Sequence, residues 1–164
     1  MMNFVLDNAN KNDIDELVRL RLAFIAEDSG ALSSCQEQCI EEQLRDFFNR
    51  KLGKELIAFV AREEERIVSV AYLLLMEMPA NARLQNGLYG EVLNVYTLPK
   101  FRGKGLCTKL MQHLIGYGKN CGLGCIDLSA TENGYPIYAK LGFKEKEQNY
   151  KDMRLFFNKS VYGN

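Results

Sequence analysis

The sequence predicts an α/β domain with a mostly antiparallel central sheet of about six to seven strands, one parallel pair and helices on both faces. Two helical stretches come first, and the hydrophobic period then changes from helical to strand-like after Gly53. Only one later segment reads as strand, helix, strand with a crossover long enough to make two strands parallel. The chain has 164 residues, 47% hydrophobic and 26% charged, with no internal repeat and no Pro/Gly/Ser-rich linker, so residues 1–164 read as a single domain.

Phe4-Val5-Leu6 is a short apolar strand. Asn12 or Asp13 caps a helix whose inward residues Ile14, Leu17, Val18, Leu20, Leu22 and Ile25 keep helical spacing, and Asp28-Ser29-Gly30 ends it. A second helix runs from Ser34 to Leu52, with Gly53 as its stop. Residues 56–61 and 67–75 form two strands around the charged turn Glu63-Glu64-Glu65-Arg66, and Pro79 to Gly87 is a loop. Leu88 to Leu98 is a strand closed by Pro99. Lys104 to Tyr117 is a helix with Leu106, Leu110, Met111, Leu114 and Ile115 on one face, which turns His113 outward. Cys125 to Ser129 is a strand and Tyr135 to Leu141 a short helix. Two further strands, near Phe143 and from Met153 to Phe157, complete the expected sheet.

Composition narrows the function. Lys plus Arg number 21 and Asp plus Glu 21, so there is no basic excess of the kind nucleic-acid binding calls for, and no nucleic-acid partner is expected. No apolar run approaches the length that spans a bilayer, and Met1-Met2-Asn3-Phe4 lacks a signal-peptide pattern. Five cysteines without secretory context read as reduced thiols in a cytoplasmic protein. Cys35/Cys39 and Cys121/Cys125 are spaced unlike a zinc site, and His113 is the one histidine, so no metal is expected.

The chemistry concentrates after Pro99. A strand stops and a helix begins through Arg102-Gly103-Lys104-Gly105-Leu106-Cys107. The first turn of a helix has unpaired N–H groups and the positive dipole end, and glycines let an anion approach the backbone. Arg102 and Lys104 add positive charge, so the turn suits phosphate or pyrophosphate. A dinucleotide fingerprint would need Gly where Thr108 stands, and a P-loop needs both another spacing and a hydroxyl after Lys104.

The run Val95 to Cys107 resembles motif A of the GNAT superfamily of acyl-CoA N-acyltransferases, written [QR]-x-x-G-x-[GA] after a strand and a proline. Arg102 and Gly105 match, and Cys107 departs from the usual Gly or Ala. Pro136-Ile137-Tyr138-Ala139-Lys140-Leu141-Gly142-Phe143 is similar to the end of the family's motif B, 36 residues beyond Arg102 as counted to Tyr138. The resemblance covers nearly the whole element order. It implies a gap between two strands splayed in a V. Pantetheine of acetyl-CoA lies there against the backbone of Val95, Tyr96 and Thr97, and an N–H near Val95 polarises the acetyl carbonyl. It places the pyrophosphate on the backbone of Gly103, Lys104, Gly105, Leu106, Cys107 and Thr108.

The resemblance also implies roles. Tyr138 stands where the family has a tyrosine that protonates the departing thiolate, or it packs on the sheet. The asparagine that many members carry seven residues earlier is Thr131 here, with Asn133 close by, so either one meets the cofactor. Glu91, the acid on the strand leading to Val95, is the base or base relay for the amine, or else faces solvent or substrate. Alternation puts it on the face of Val95 unless a bulge intervenes, as it often does in the family. Asp28, Glu37, Glu41 and Glu42 flank the helices that wall the acceptor site. The activity implied is transfer from acetyl-CoA to a primary amine, a small molecule, by direct attack in a ternary complex. A non-catalytic acyl-CoA-binding module or sensor is the alternative. Family members often dimerise by pairing C-terminal strands, which makes a homodimer one expected assembly.

Overall fold

The computed structural model describes residues 3–146 and 150–157. Five strands lie side by side in chain order: β1 (Phe4–Asn8), β2 (Leu56–Glu63), β3 (Arg66–Glu77), β4 (Leu88–Thr97) and β5 (Cys125–Leu128). Neighbours are antiparallel except β4 and β5, which are parallel and joined through helix α3 (Leu106–Asn120). Helices α1 (Ile14–Ser29) and α2 (Ser34–Lys51) precede β2, and α4 (Tyr135–Lys140) follows β5.

Both faces of the sheet are covered. On one, α1 and α2 bury Leu17, Leu20 and Phe48 against Val60, Val70, Tyr72 and Tyr96. On the other, α3 buries Leu106, Leu110, Met111 and Leu114 against Phe59, Val68, Leu73 and Val92. Central strands covered on two sides must be apolar throughout, which is why β2 and most of β3 read as continuous hydrophobic runs rather than alternating ones. His113 is exposed on α3, its ring edge-on to Phe59 with the two centroids 5.4 Å apart.

Local signals fix the helix ends. Asp13 stands at the N-cap of α1, but its side chain caps no N–H of that helix, and the expected cap lies on the turn before it. Asn10 caps a 3-10 turn at Lys11–Asp13, its Oδ1 accepting the Asn12 N–H at 2.9 Å, while Asp13 Oδ2 accepts the Asn10 N–H at 2.8 Å. Asp13 also takes two bonds from Arg62 of β2, at 3.0 and 2.9 Å, tying the start of α1 to the sheet. Ser33 and Gln36 form the same reciprocal box at the start of α2. α3 starts at Leu106, two residues later than expected, because Gly103 (φ 73°) and Gly105 (φ 74°) are left-handed and cannot belong to the helix.

Among the described residues the sheet has five strands rather than six or seven. Phe143 is not in a strand. Its N–H donates to the Tyr138 carbonyl at 3.1 Å and that of Gly142 (φ 97°) to Ala139 at 3.1 Å, so this stretch is the C-terminal cap of α4. Met153 to Phe157 is not a strand either. Its alternating apolar residues have no buried face: Met153 is 94% exposed and Phe157 89%. Alternation predicts a strand only where a neighbouring strand and a core receive it.

Candidate active site

β4 and β5 run together only from Tyr89↔Cys125 to Val92↔Leu128. β5 then ends, while β4 continues to Thr97, so the two diverge from an apex near Val92. At that point β4 carries a bulge. Tyr72 pairs with Asn94 and Leu73 with Val92, which leaves Leu93 as the extra residue. Below the bulge Glu91 faces α1 and α2, and above it Asn94 and Tyr96 do. Val92 and Val95 face α3. Glu91 and Val95 therefore lie on opposite faces, which unbroken alternation would not have given.

The pairing pattern fixes where the β4 backbone points. Leu98 donates to Val68 at 3.0 Å, so Leu98, Tyr96 and Asn94 bond toward β3, while Thr97 and Val95 direct their N–H and C=O away from it. The Ser69 hydroxyl reaching the Tyr96 carbonyl at 3.2 Å agrees with this alternation. The Thr97 carbonyl accepts from Arg102 Nε at 2.9 Å. Val95 thus presents backbone groups to the side from which β5 has departed.

A cleft of about 590 Å³ occupies this divergence. One wall is the β4 edge of Val95, Tyr96 and Thr97, and the floor is the turn of Arg102, Gly103 and Gly105 with Leu106, Cys107 and Thr108. The other wall is Thr131, Asn133, Gly134, Ile137 and Tyr138, and α1 closes one end with Phe24, Glu27 and Asp28. The first N–H groups of α3 open onto the turn, with no side chain capping them. A Cβ at Gly103 or Gly105 would meet no atom within 4 Å, so these glycines leave open space above the backbone as well as supplying its left-handed conformation.

Of the residues singled out in the sequence, Lys104 and Glu91 do not line this cleft. Lys104 turns its ammonium over the rings of Phe101 and Phe4, 5.2 and 5.8 Å from their centroids. Glu91 is half-buried and pairs across the ladder with Asp127, whose carboxylate holds Lys146 at 2.7 Å. Thr131 and Asn133 both reach the cleft. The Thr131 hydroxyl is occupied in accepting the Gly134 N–H at 3.1 Å, whereas Asn133 is exposed on the wall.

Tyr138 is half-buried, its ring lying against Gly134 and edge-on to Phe143. Burial, reinforced by neighbouring Cys107, pushes its phenol up to about 12. It is therefore protonated through the neutral range and can act as a proton or hydrogen-bond donor, not as a base. Burial also raises the Cys107 thiol, which disfavours the thiolate a covalent acyl-enzyme would require.

Two groups of residues at the site were not singled out in the sequence. Glu27 Oε2 accepts from Arg102 Nη2 at 2.7 Å and from the Tyr96 hydroxyl at 3.1 Å, joining α1 to the glycine turn. The bond from Arg102 holds the Glu27 carboxyl below its usual range. Arg21 donates to Asn94 Oδ1 at 2.9 Å and stacks over Phe24. Arg21, Phe24 and Asp28 recur at helical spacing on α1, a signal the sequence did contain. That Asn94 would meet them depends on the bulge, which has no local sequence mark.

The open strand edge, the glycine turn and the tyrosine wall together describe an α/β protein with a cleft where two parallel strands part and a helix N-terminus opens. The model of the acetyltransferase (GNAT) family matches residues 22–143, and the chain belongs to that family. Among solved structures it is similar to a predicted acetyltransferase with acetyl-CoA from Clostridium acetobutylicum, at 27% identity and a TM-score of 0.80 over 93% of this chain and 96% of that one. The fold is also that of a GCN5-related N-acetyltransferase from Ralstonia eutropha JMP134 (22% identity, TM-score 0.74, 92% of this chain and 99% of that one). Glucosamine-6-phosphate N-acetyltransferase from Arabidopsis thaliana shares it too (18% identity, TM-score 0.67, 95% and 99%). No curated protein sequence matches the chain. Among the described residues no helix is long and apolar enough to cross a membrane.

Proposed function

We propose that the protein binds acetyl-CoA in the β4–β5 cleft and transfers its acetyl group to a primary amine of a small molecule, by direct attack in a ternary complex. The observation that carries this reading is the cleft itself. One continuous path leads from the outward backbone of Val95, past Tyr138, to the left-handed glycines and free N–H groups at the start of α3. The Clostridium acetobutylicum structure, the relative with 27% identity, was obtained with acetyl-CoA.

In this reading pantetheine lies along Val95 to Thr97 as an added strand, and the pyrophosphate rests on the N–H groups from Gly103 to Thr108. The outward Val95 N–H polarises the acetyl carbonyl at the apex, where negative charge builds on oxygen as the amine attacks. The Tyr138 phenol hydrogen-bonds to the sulfur as the C–S bond breaks. Being a weaker acid than a thiol, it keeps its proton and stabilises the departing thiolate through that hydrogen bond, and the thiolate takes its proton from solvent. The amine loses its proton to Glu91 through water, on the α1/α2 side of the bulge. Positioning amine and thioester together supplies most of the rate.

The test is release of free CoA thiol from acetyl-CoA across a panel of amines. Transfer predicts release that depends on the amine, with an equal amount of N-acetyl product. Binding of acetyl-CoA without release for any amine would instead favour a non-catalytic acyl-CoA sensor.

A further inference from the structure

Arg21 and Asn94 are not part of the cofactor cleft, yet they are built as a pair beside it. Asn94 is only 3% exposed, on β4 between the bulged Leu93 and Val95. A guanidinium only donates, so the 2.9 Å bond from Arg21 Nη1 fixes the amide with Oδ1 toward Arg21. Asn94 Nδ2 is left as an enclosed donor with no acceptor among the described residues. Enclosed amide donors are almost always paired, so this one calls for a reason.

Arg21 is exceptional in the same way. The half-buried arginines Arg19, Arg45 and Arg62 each have a carboxylate partner. Arg21 has a neutral amide and the face of Phe24, 5.1 Å from its centroid, while the Tyr72 phenol and Asp28 act on it without a hydrogen bond. Among the described residues no carboxylate bonds to it. A fixed, partly desolvated guanidinium without a counter-ion is a poor structural device and a good anion receptor. Its place matters as well. Asn94 lies just past the last β4–β5 pair, and Phe24, one turn along α1 from Arg21, lines the cleft end.

The geometry points to an acceptor that carries an anionic oxygen group, carboxylate or phosphate, on the same molecule as the attacking amine. Arg21 binds that group, and Asn94 holds Arg21 in place and offers Nδ2 as a second donor. This inference rests on the transfer reading above, and it narrows the acceptor to an amino acid or amino phosphate class.

Matched amines test it: an α-amino acid against its decarboxylated amine, and an amino-sugar phosphate against the unphosphorylated amino sugar. Each is titrated calorimetrically into the CoA-saturated protein, so that binding is read apart from turnover. The anionic member of at least one pair is expected to bind about 10- to 100-fold more tightly, and the pair that shows it identifies carboxylate or phosphate. Arg21→Met, which keeps the stem's packing, erases that preference while acetyl-CoA binding persists. Asn94→Asp, which gives Arg21 a resident carboxylate, erases it too and serves if Arg21→Met does not fold. Equal binding within both pairs, or a preference that survives in the folded variants, overturns the inference. Selective binding without thiol release for any amine leaves it standing and sinks the transfer reading. Release with neutral or cationic amines alone does the reverse.

Discussion

In the proposed mechanism Tyr138, Gly105 and Glu91 carry separable duties, and single substitutions should separate them. Tyr138→Phe keeps the ring against Gly134 and Phe143 but removes the donor, so acetyl-CoA binding should stay near normal while turnover falls by about 10²-fold or more. Full activity in that variant would remove the phenol from the mechanism. The pH dependence has a definite sign. A phenol raised to about 12 keeps its proton across the working range, so kcat/KM should climb with pH as the amine deprotonates. No descending limb from Tyr138 should appear up to about pH 10. Gly105→Glu puts a side chain on a left-handed residue and a negative charge on the anion turn, and should abolish acetyl-CoA binding by calorimetry. Glu91→Gln should lower kcat/KM at neutral pH by about 10²-fold and lose less at alkaline pH, where the amine arrives without its proton.

At the level of elements, α3 both completes a core and presents its N-terminus to the cleft, so its packing and the site are coupled. Leu110 is fully buried against β2 and β3, and Leu110→Ala should cost about 2–5 kcal/mol in urea unfolding. The α1–β2 tie responds to acid. Burial works to raise Asp13, but the Arg62 bonds and the Asn10 N–H outweigh it and hold the carboxyl below its ordinary value. The stabilisation is therefore present at neutral pH and is lost as pH falls through the lowered value. Arg62→Met should be less stable than the wild type by about 1–3 kcal/mol at neutral pH, with the gap narrowing on acidification. Elements of this kind were legible in the sequence where their cause is local. The helical spacing of α1, the Gly53 stop of α2 and the Arg102–Gly105 turn all predicted what is observed. Where the cause is a partner, the sequence was silent or misleading. The apolar alternation of Met153 to Phe157 read as a strand, but no described strand receives it. The Leu93 bulge reversed the face of Glu91. One local cause was also missed: the left-handed Gly103 and Gly105 delay α3 from Lys104 to Leu106.

The whole molecule is a sheet with a core on each face and one line of failure, where β4 and β5 part. Residues from elements distant in the chain line that gap: Glu27 of α1, Val95 of β4, the glycine turn and Tyr138 of α4. In the proposed complex acetyl-CoA would bridge these elements, so it should raise the melting temperature in a concentration-dependent way and ATP should not. The proposed donor side rests on two sequence motifs, whereas the proposed acceptor side rests on the Arg21–Asn94 contact, which joins residues 73 positions apart. The most direct test of the central claim is a rapid-mixing single turnover with stoichiometric acetyl-CoA, following free thiol. Direct transfer predicts no thiol before amine is added and one phase of release, matched by N-acetyl product, afterwards. A thiol burst without amine, leaving acetyl on Cys107, or no release with any amine, would contradict it.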